Sequence, residues 1–210
     1  MSMRIRPAAA TIEEVAAAAG VSRSTVSRVV NGSTAVSPTA LASVQRAIGE
    51  LGYVPNRAAR SLALRESRAI ALVVPEDIGR FFGDPYFAAI VSGVHAAVRR
   101  SDYVLTMFIA SEESGQKATR FLLSGNADGA IVVSHHDSDS FIDRMDATVP
   151  VVFGGRPGPG HNHHHSVDVD NVGGARSATE HLLRTGRRRV ATITGPADMP
   201  VSIDRLAGYR

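Results

Sequence analysis

The clearest chemistry in this sequence lies in four side chains, Arg23, Ser24, Ser27 and Arg28. They share one arc of a helix that the residue pattern predicts. The hydroxyls can donate and accept hydrogen bonds, whereas the guanidinium groups donate only and stay charged. A set of that kind suits a surface rich in acceptors and negative charge, such as base edges beside phosphates. Val26, Val29 and Val30 occupy the other side of the same helix, where they can pack.

The flanking residues must place that arc. Thr11 can cap a preceding helix, with Glu14 three residues on completing a capping box. Ile12, Val15, Ala16 and Ala19 then recur at helical spacing. Gly20 ends this first helix at little steric cost, and Ser22 can cap the next. Two short helices joined by a tight turn make a helix-turn-helix, whose second helix enters a DNA groove. An ordinary helical hairpin with a solvated face is the competing reading. Ser37-Pro38 should start a third helix with an inner stripe of Leu41, Val44, Ile48 and Leu51, and Gly52 should end it.

Charge supports the first reading. Residues 1–68 carry 9 Lys/Arg against 4 Asp/Glu, whereas the remainder carries 14 against 16. A basic head on a mildly acidic body fits a polyanion-binding module joined to something else. The 210 residues hold about one and a half average domains. With no cysteine, disulfides, thiolate metal sites and cysteine nucleophiles are excluded. No apolar run approaches the ~20 residues of a membrane span. The N-terminus MSMRIRPAAA lacks a signal-peptide core followed by a cleavage site, so the expected location is cytoplasmic, away from membranes.

Residues 1–10 read as a flexible arm, in which Arg4 and Arg6 could touch phosphates. Residues 11–53 form the helical headpiece. Residues 54–64, with Asn56 as a cap, favour a helix too short to stand alone in water, so it should order only when held; a linker that never orders is the alternative. From Ala69 the texture changes. Apolar runs at 70–74, 104–109, 130–133 and 151–153 alternate with amphipathic stretches near 86–100, 113–125 and 138–147. A helix near 172–185, a strand at 190–194 and a helix start near 202 continue the pattern. Residues 65–210 should therefore form a parallel sheet with helices on both faces. Ligands of such sheets bind beyond the carboxyl ends of the strands, here Pro75 to Phe87, Ala110-Ser111, Ser134 to His136 and Gly154 to Arg156.

Other signals carry less. His161, His163, His164 and His165 could hold Zn²⁺ or Ni²⁺, but they read better as a surface loop, since no carboxylate pair or helical spacing frames them. His135 and His136 stand at a strand end, where they could face an effector, although solvent is the favoured reading, and Arg187-Arg188-Arg189 should form a solvated turn. No G-x-G-x-x-G follows the first strand, and no Walker loop or nucleophile elbow occurs. An enzyme is therefore not expected: no catalytic residue, metal or cofactor is assigned.

Taken together, the motifs resemble the LacI/GalR family of bacterial transcriptional repressors over nearly the whole chain. The resemblance rests on VSRSTVSRVVN (21–31), Val36-Ser-Pro, LGYVPNRAARSL (51–62), Asp84-Pro-Tyr-Phe, Asp128-Gly129, SVDVDNVGGA (166–175) and RLAGYR (205–210). It implies an all-α helix-turn-helix headpiece, a hinge helix and an α/β domain like the periplasmic sugar-binding proteins. It also implies a homodimeric repressor on double-stranded operator DNA, controlled by a small effector such as a sugar or nucleoside. Arg23, Ser24 and Arg28 match base-reading positions. Leu62 matches a hinge leucine that wedges into the minor groove, with Ala59 beside it. The DNA-binding set is thus Ser22, Arg23, Ser24, Thr25, Ser27, Arg28 and Asn31, with Asn56, Arg57, Ala59 and Leu62 in the hinge. Tyr86, Phe87, Arg156, Asp170 and Arg205 match effector-site positions, and Ser134 joins them by its strand end. Three departures stand out. Asp84, after a longer loop IGRFFG, replaces the family's frequent Asn. Gly155-Arg156 replaces Asp-Arg, which removes one polar ligand contact. The chain stops at Arg210, so the second lobe of the ligand cleft is expected to be incomplete. A solute-binding protein without a DNA-dependent role is the alternative.

Overall fold

A computed structural model describes residues 10–54, 66–109, 112–159 and 164–210. The chain divides into two compact units, Met1–Leu64 and Arg65–Arg210. The segment 55–65 expected to form most of the hinge lies outside the described residues, as do Arg4, Arg6, His161 and His163.

In the first unit α1 spans Ile12–Ala19, α2 Arg23–Val30 and α3 Pro38–Leu51. All three begin at the expected caps. Thr11 and Glu14 form the capping box, Ser22 accepts from the Thr25 amide, and Ser37 accepts from the Ala40 amide. Gly20 and Gly52 stop α1 and α3 in the left-handed region, at φ 65° and 60°. Val15, Val26 and Val44 are fully buried where the three helices meet. The inner stripe of α3 differs from expectation. Val44 and Ala47 are buried and Ile48 packs beside them, whereas Leu41 and Leu51 stay exposed. α3 has 14 residues and α1 and α2 have 8 each. The headpiece core thus takes in the middle of α3, at Val44, Ala47 and Ile48.

In the second unit five parallel strands are ordered β2-β1-β3-β4-β5. They are β1 (Ala69–Val74), β2 (Val104–Ile109), β3 (Gly129–Val133), β4 (Val151–Gly154) and β5 (His165–Val167). Alternate residues of β1 serve opposite faces. Ala71 and Val73 join Leu122, Phe141, Met145 and Phe153, whereas Leu72 and Val74 join Phe81, Phe87 and Val133. The helices are α4 (Ile78–Gly83), α5 (Pro85–Val98), α6 (Glu112–Leu123), α7 (Phe141–Asp146), α8 (Asn171–Arg184) and α9 (Pro200–Tyr209). None of the described helices is long and apolar enough to cross a membrane.

Three local readings need correction. IGRFFG is not a loop but α4, because the Asp77 side chain caps it through the Arg80 amide at 2.9 Å. The polar strand β5 emerges from the His-rich stretch and pairs with β4. No strand forms at 190–194, where Ile193 is 100% exposed. A strand is defined by its hydrogen-bonded neighbour, and among the described residues this stretch pairs with none.

Candidate nucleic-acid interface and ligand cleft

The start of α2 gathers hydroxyl groups. Ser22 Oγ lies 2.8 Å from Ser24 Oγ and 2.9 Å from Thr25 Oγ1, and it also accepts from the Thr25 amide at 3.2 Å. Ser22, Arg23, Ser24 and Arg28 are exposed, whereas Thr25, Ser27 and Asn31 are half-buried. Ser27 Oγ accepts from Asn31 Nδ2 at 3.4 Å, so these two side chains partly satisfy one another. Arg23 Nε sits 3.2 Å from Glu13 Oε1 of α1, a partner that the sequence pattern did not reveal. The helix thus presents donors along one arc, backed by Val26 in the core. Its first turn adds the positive end of the helix dipole, which favours an anion. The sequence-assigned Asn56, Arg57, Ala59 and Leu62 lie outside the described residues.

In the α/β unit a cleft of about 900 Å³ opens at the carboxyl ends of β1, β3 and β4. All six effector-site assignments line it: Tyr86, Phe87, Ser134, Arg156, Asp170 and Arg205. Their roles differ. Tyr86 is half-exposed, and its ring meets Phe87 edge-on at 5.3 Å. Phe87 is buried against Phe81, so it forms the floor beneath Tyr86 rather than free aromatic surface. Partial burial, then the Asp168 charge, pushes the Tyr86 hydroxyl above its ordinary pKa. It therefore stays protonated at neutral pH and can donate.

Polar neighbours hold the cleft's arginines. Asp204 accepts from Arg156 Nε and a terminal nitrogen, both at 2.9 Å, and this pairing raises the Arg156 pKa. Asp168 accepts from the Arg156 amide at 2.8 Å and from Asn171 Nδ2 at 3.0 Å. The buried Asn171 in turn accepts from Arg205 Nε at 2.9 Å. Asp170 caps α8 through the Gly173 amide at 2.7 Å. Gly155, where the family places Asp, has φ 115° and donates to the Val167 carbonyl at 2.8 Å. Ser134 also has a positive φ, 59°, and donates to Glu76 Oε1 at 2.6 Å.

Sequence reasoning missed Glu76, Asp168, Asn171 and Asp204. Asp168 and Asn171 sit inside the quoted 166–175 motif and could have been taken from it. Glu76 and Asp204 carry no local signal. The strand-end histidines depart from the favoured solvent-facing reading: His135 lines the cleft, as the alternative had it, and His136 is half-buried. His135 is buried with its ring 4.8 Å from Phe153, and His136 Nδ1 lies 3.0 Å from Asp198. His164 is also half-buried and lies 3.2 Å from Asp146. Among the described residues no three His, Asp or Glu side chains are grouped to hold a metal. The 187–189 arginines lie on an exposed bend.

Comparison with known proteins bears on both regions. Residues 11–56 match the model for bacterial regulatory proteins of the lacI family. Residues 67–210 match that for periplasmic binding proteins and the sugar binding domain of the LacI family. The chain belongs to the LacI family of bacterial regulatory proteins. It is 47% identical over 215 residues to the HTH-type transcriptional regulator CelR of Thermobifida fusca, covering 100% of this chain and 62% of that protein. It is 33% identical over 206 residues to the maltose regulon regulatory protein MalI of Escherichia coli, covering 95% and 58%. Among solved structures, the CelR–cellobiose complex superposes with a TM-score of 0.66 at 43% identity, over 96% of this chain and 60% of that one. The lac repressor dimer bound to operator and the anti-inducer ONPF superposes with a TM-score of 0.76 at 29% identity, again over 96% and 60%. The chain thus spans about 62% of the length of the first of these relatives.

Proposed function

We propose that the protein is a sequence-specific DNA-binding regulator, acting as a repressor under the control of a carbohydrate effector. The observation that carries this reading is the exposed arc of Arg23, Ser24 and Arg28 on a capped helix whose other face is core. In the proposed complex two headpieces of a homodimer place α2 in successive major grooves. Ser22, Thr25, Ser27 and Asn31 support the backbone contacts. Asn56, Arg57, Ala59 and Leu62 engage the minor groove between them, with Leu62 as the wedge.

The effector site is the cleft. Tyr86 offers a ring face, Ser134 and Asp170 offer acceptors, and Arg156 and Arg205 offer donors. Aromatic surface with a few convergent polar groups suits a sugar, whose ring has both apolar C–H faces and hydroxyl groups. The likeness to the CelR–cellobiose complex supports a gluco-disaccharide. Selection of tight binders from a random duplex library should yield one recurring, partly palindromic site. Anisotropy on that duplex with cellobiose should then show release. Recovery of no preferred duplex would refute the regulator reading and favour a solute-binding role; a preferred duplex indifferent to cellobiose would refute only the effector.

A further inference from the structure

Arg23 is the first residue of α2, where the helix dipole disfavours a cation, and no acidic residue lies in that turn. The compensating charge comes from α1: Glu13 Oε1 lies 3.2 Å from Arg23 Nε. Both side chains are mostly exposed, 60% and 72%. A pair that open to water contributes little to stability. Nor does Glu13 serve the α1 cap, since Glu14 provides the capping-box contacts. An acidic group at the mouth of a DNA-binding face also opposes phosphate. Its place in the first turn of α1 complements that helix's dipole, as Glu14 does too, and its added effect is the hold on the arginine of the next helix.

We propose that Glu13 is a positioning residue for base recognition, holding Arg23 by its Nε side and weakening binding to DNA that offers Arg23 no partner. With Nε engaged by Glu13, the two terminal nitrogens of the guanidinium are left to point outward. That end matches the paired O6 and N7 acceptors of guanine in the major groove. On a sequence lacking guanine at that point, Arg23 held against Glu13 is not released to take a phosphate instead, so the wrong duplex gains no substitute contact. The carboxylate thereby widens the gap between right and wrong sequences through the arginine it holds. This rests on the DNA-binding reading above.

The test uses the 210-residue chain with Glu13→Gln, Arg23→Ala and the double variant. Each is taken through random-duplex selection and titrated on a selected and a scrambled 30-base-pair duplex across a salt series. Glu13→Gln should lower the melting temperature by no more than about 5 °C, through the lost helix-dipole interaction, and tighten scrambled-duplex binding several-fold at low salt. Its salt slope should steepen by about one, as for one added phosphate contact. The preference for guanine at one position per half-site should relax at least five-fold. In the Arg23→Ala background, Glu13→Gln should produce no further relaxation. An unchanged guanine preference in Glu13→Gln overturns the proposal. So does an equal effect of Glu13→Gln with and without Arg23, which would make the carboxylate a general charge. Selection of no preferred duplex by the unaltered chain would instead refute the DNA-binding reading itself.

Discussion

Ser134 donates a 2.6 Å hydrogen bond to Glu76 across 58 residues of sequence, from a backbone held at φ 59°. Glu76 follows β1 and Ser134 follows β3, so the bond closes the point between two neighbouring strands whose following helices cover opposite faces of the sheet. Such switch points are where ligands bind in open parallel sheets. Left-handed backbone at a non-glycine residue is costly and persists only where the surroundings enforce it. Here the enforcing contact is a carboxylate that is itself almost wholly buried.

This arrangement ranks two substitutions. Ser134→Ala keeps the strained backbone and loses the bond, so it should cost about 1–3 kcal/mol. Ser134→Gly loses the same bond but adopts the left-handed conformation freely. It should retain roughly 0.5–1 kcal/mol more than the alanine variant, after the entropy of the freer unfolded chain is subtracted. Urea unfolding of the α/β unit compares them. Equal stability of the two variants would mean that the backbone is not under strain.

Asp128 predicts an acid-sensitive joint. Burial alone would raise its pKa, but the Ser67 amide at 2.7 Å, the Ser67 hydroxyl at 2.8 Å and the Arg68 amide at 2.9 Å outweigh it. The folded pKa therefore lies below the ordinary 3.8. A depressed carboxylate stabilises fully above the unfolded value and loses that contribution as pH falls through the folded one. Stability should thus be flat from neutral pH to about 5 and then decline below about 4. Asp128→Asn should be less stable by about 1–3 kcal/mol at pH 7 and should shed less of its remainder in acid. Thermal melts from pH 7 to pH 3 check the slope; parallel curves for both proteins would contradict it.

Legibility in the sequence followed the range of the interaction. The caps at Thr11, Ser22 and Ser37 each involve partners three residues away, and all were readable. Of the six assigned residues that line the cleft, five came from the family resemblance and Ser134 from its strand end. The groups that hold them were not found, because Arg156 and Asp204 are 48 residues apart and Glu76 and Ser134 are 58 apart. Spacing along a chain says nothing of such pairs. The expected strand at 190–194 failed for a related reason, since apolar β-branched residues favour a strand only beside a neighbour. Leu41 and Leu51 had the right period on α3, yet among the described residues they lie outside the headpiece core and stay exposed.

Gly208 predicts a packing limit within the 205–210 motif. It is buried where α9 crosses α8, and a Cβ there would run into the Val172 carbonyl and the Ala175 side chain. A backbone carbonyl cannot swing aside as a long side chain can. Gly208→Ala should force the helices apart and cost about 1–3 kcal/mol, as overpacking does elsewhere. The displaced helix carries Arg205 and Asp204, so their contacts to Asn171 and Arg156 should loosen as well. Denaturant unfolding together with amide exchange across residues 171–209 provides the measurement. Unaltered exchange at Asn171 and stability within ~0.3 kcal/mol of the parent would show that α8 and α9 have slack.

Arg28 predicts what one exposed cation of α2 contributes to binding. It lies exposed in the last turn of α2, where a positive charge also complements the helix dipole. Arg28→Ala should therefore cost the folded headpiece only a few tenths of a kcal/mol. Binding is where the loss should appear, and its pattern reveals the contact. If Arg28 reads a base edge, the selected duplex should lose about 1–3 kcal/mol while a scrambled duplex is nearly unaffected, and selection should tolerate any base at one position. If it meets a phosphate, both duplexes should weaken alike and the salt slope should fall by about one. The position of Arg28 one and a half turns beyond Arg23, on the same exposed arc, favours the base-edge outcome. Titration of both duplexes at several salt concentrations separates the two patterns. Unchanged affinity for both would remove Arg28 from the interface and leave the reading of bases to Arg23 and Ser24.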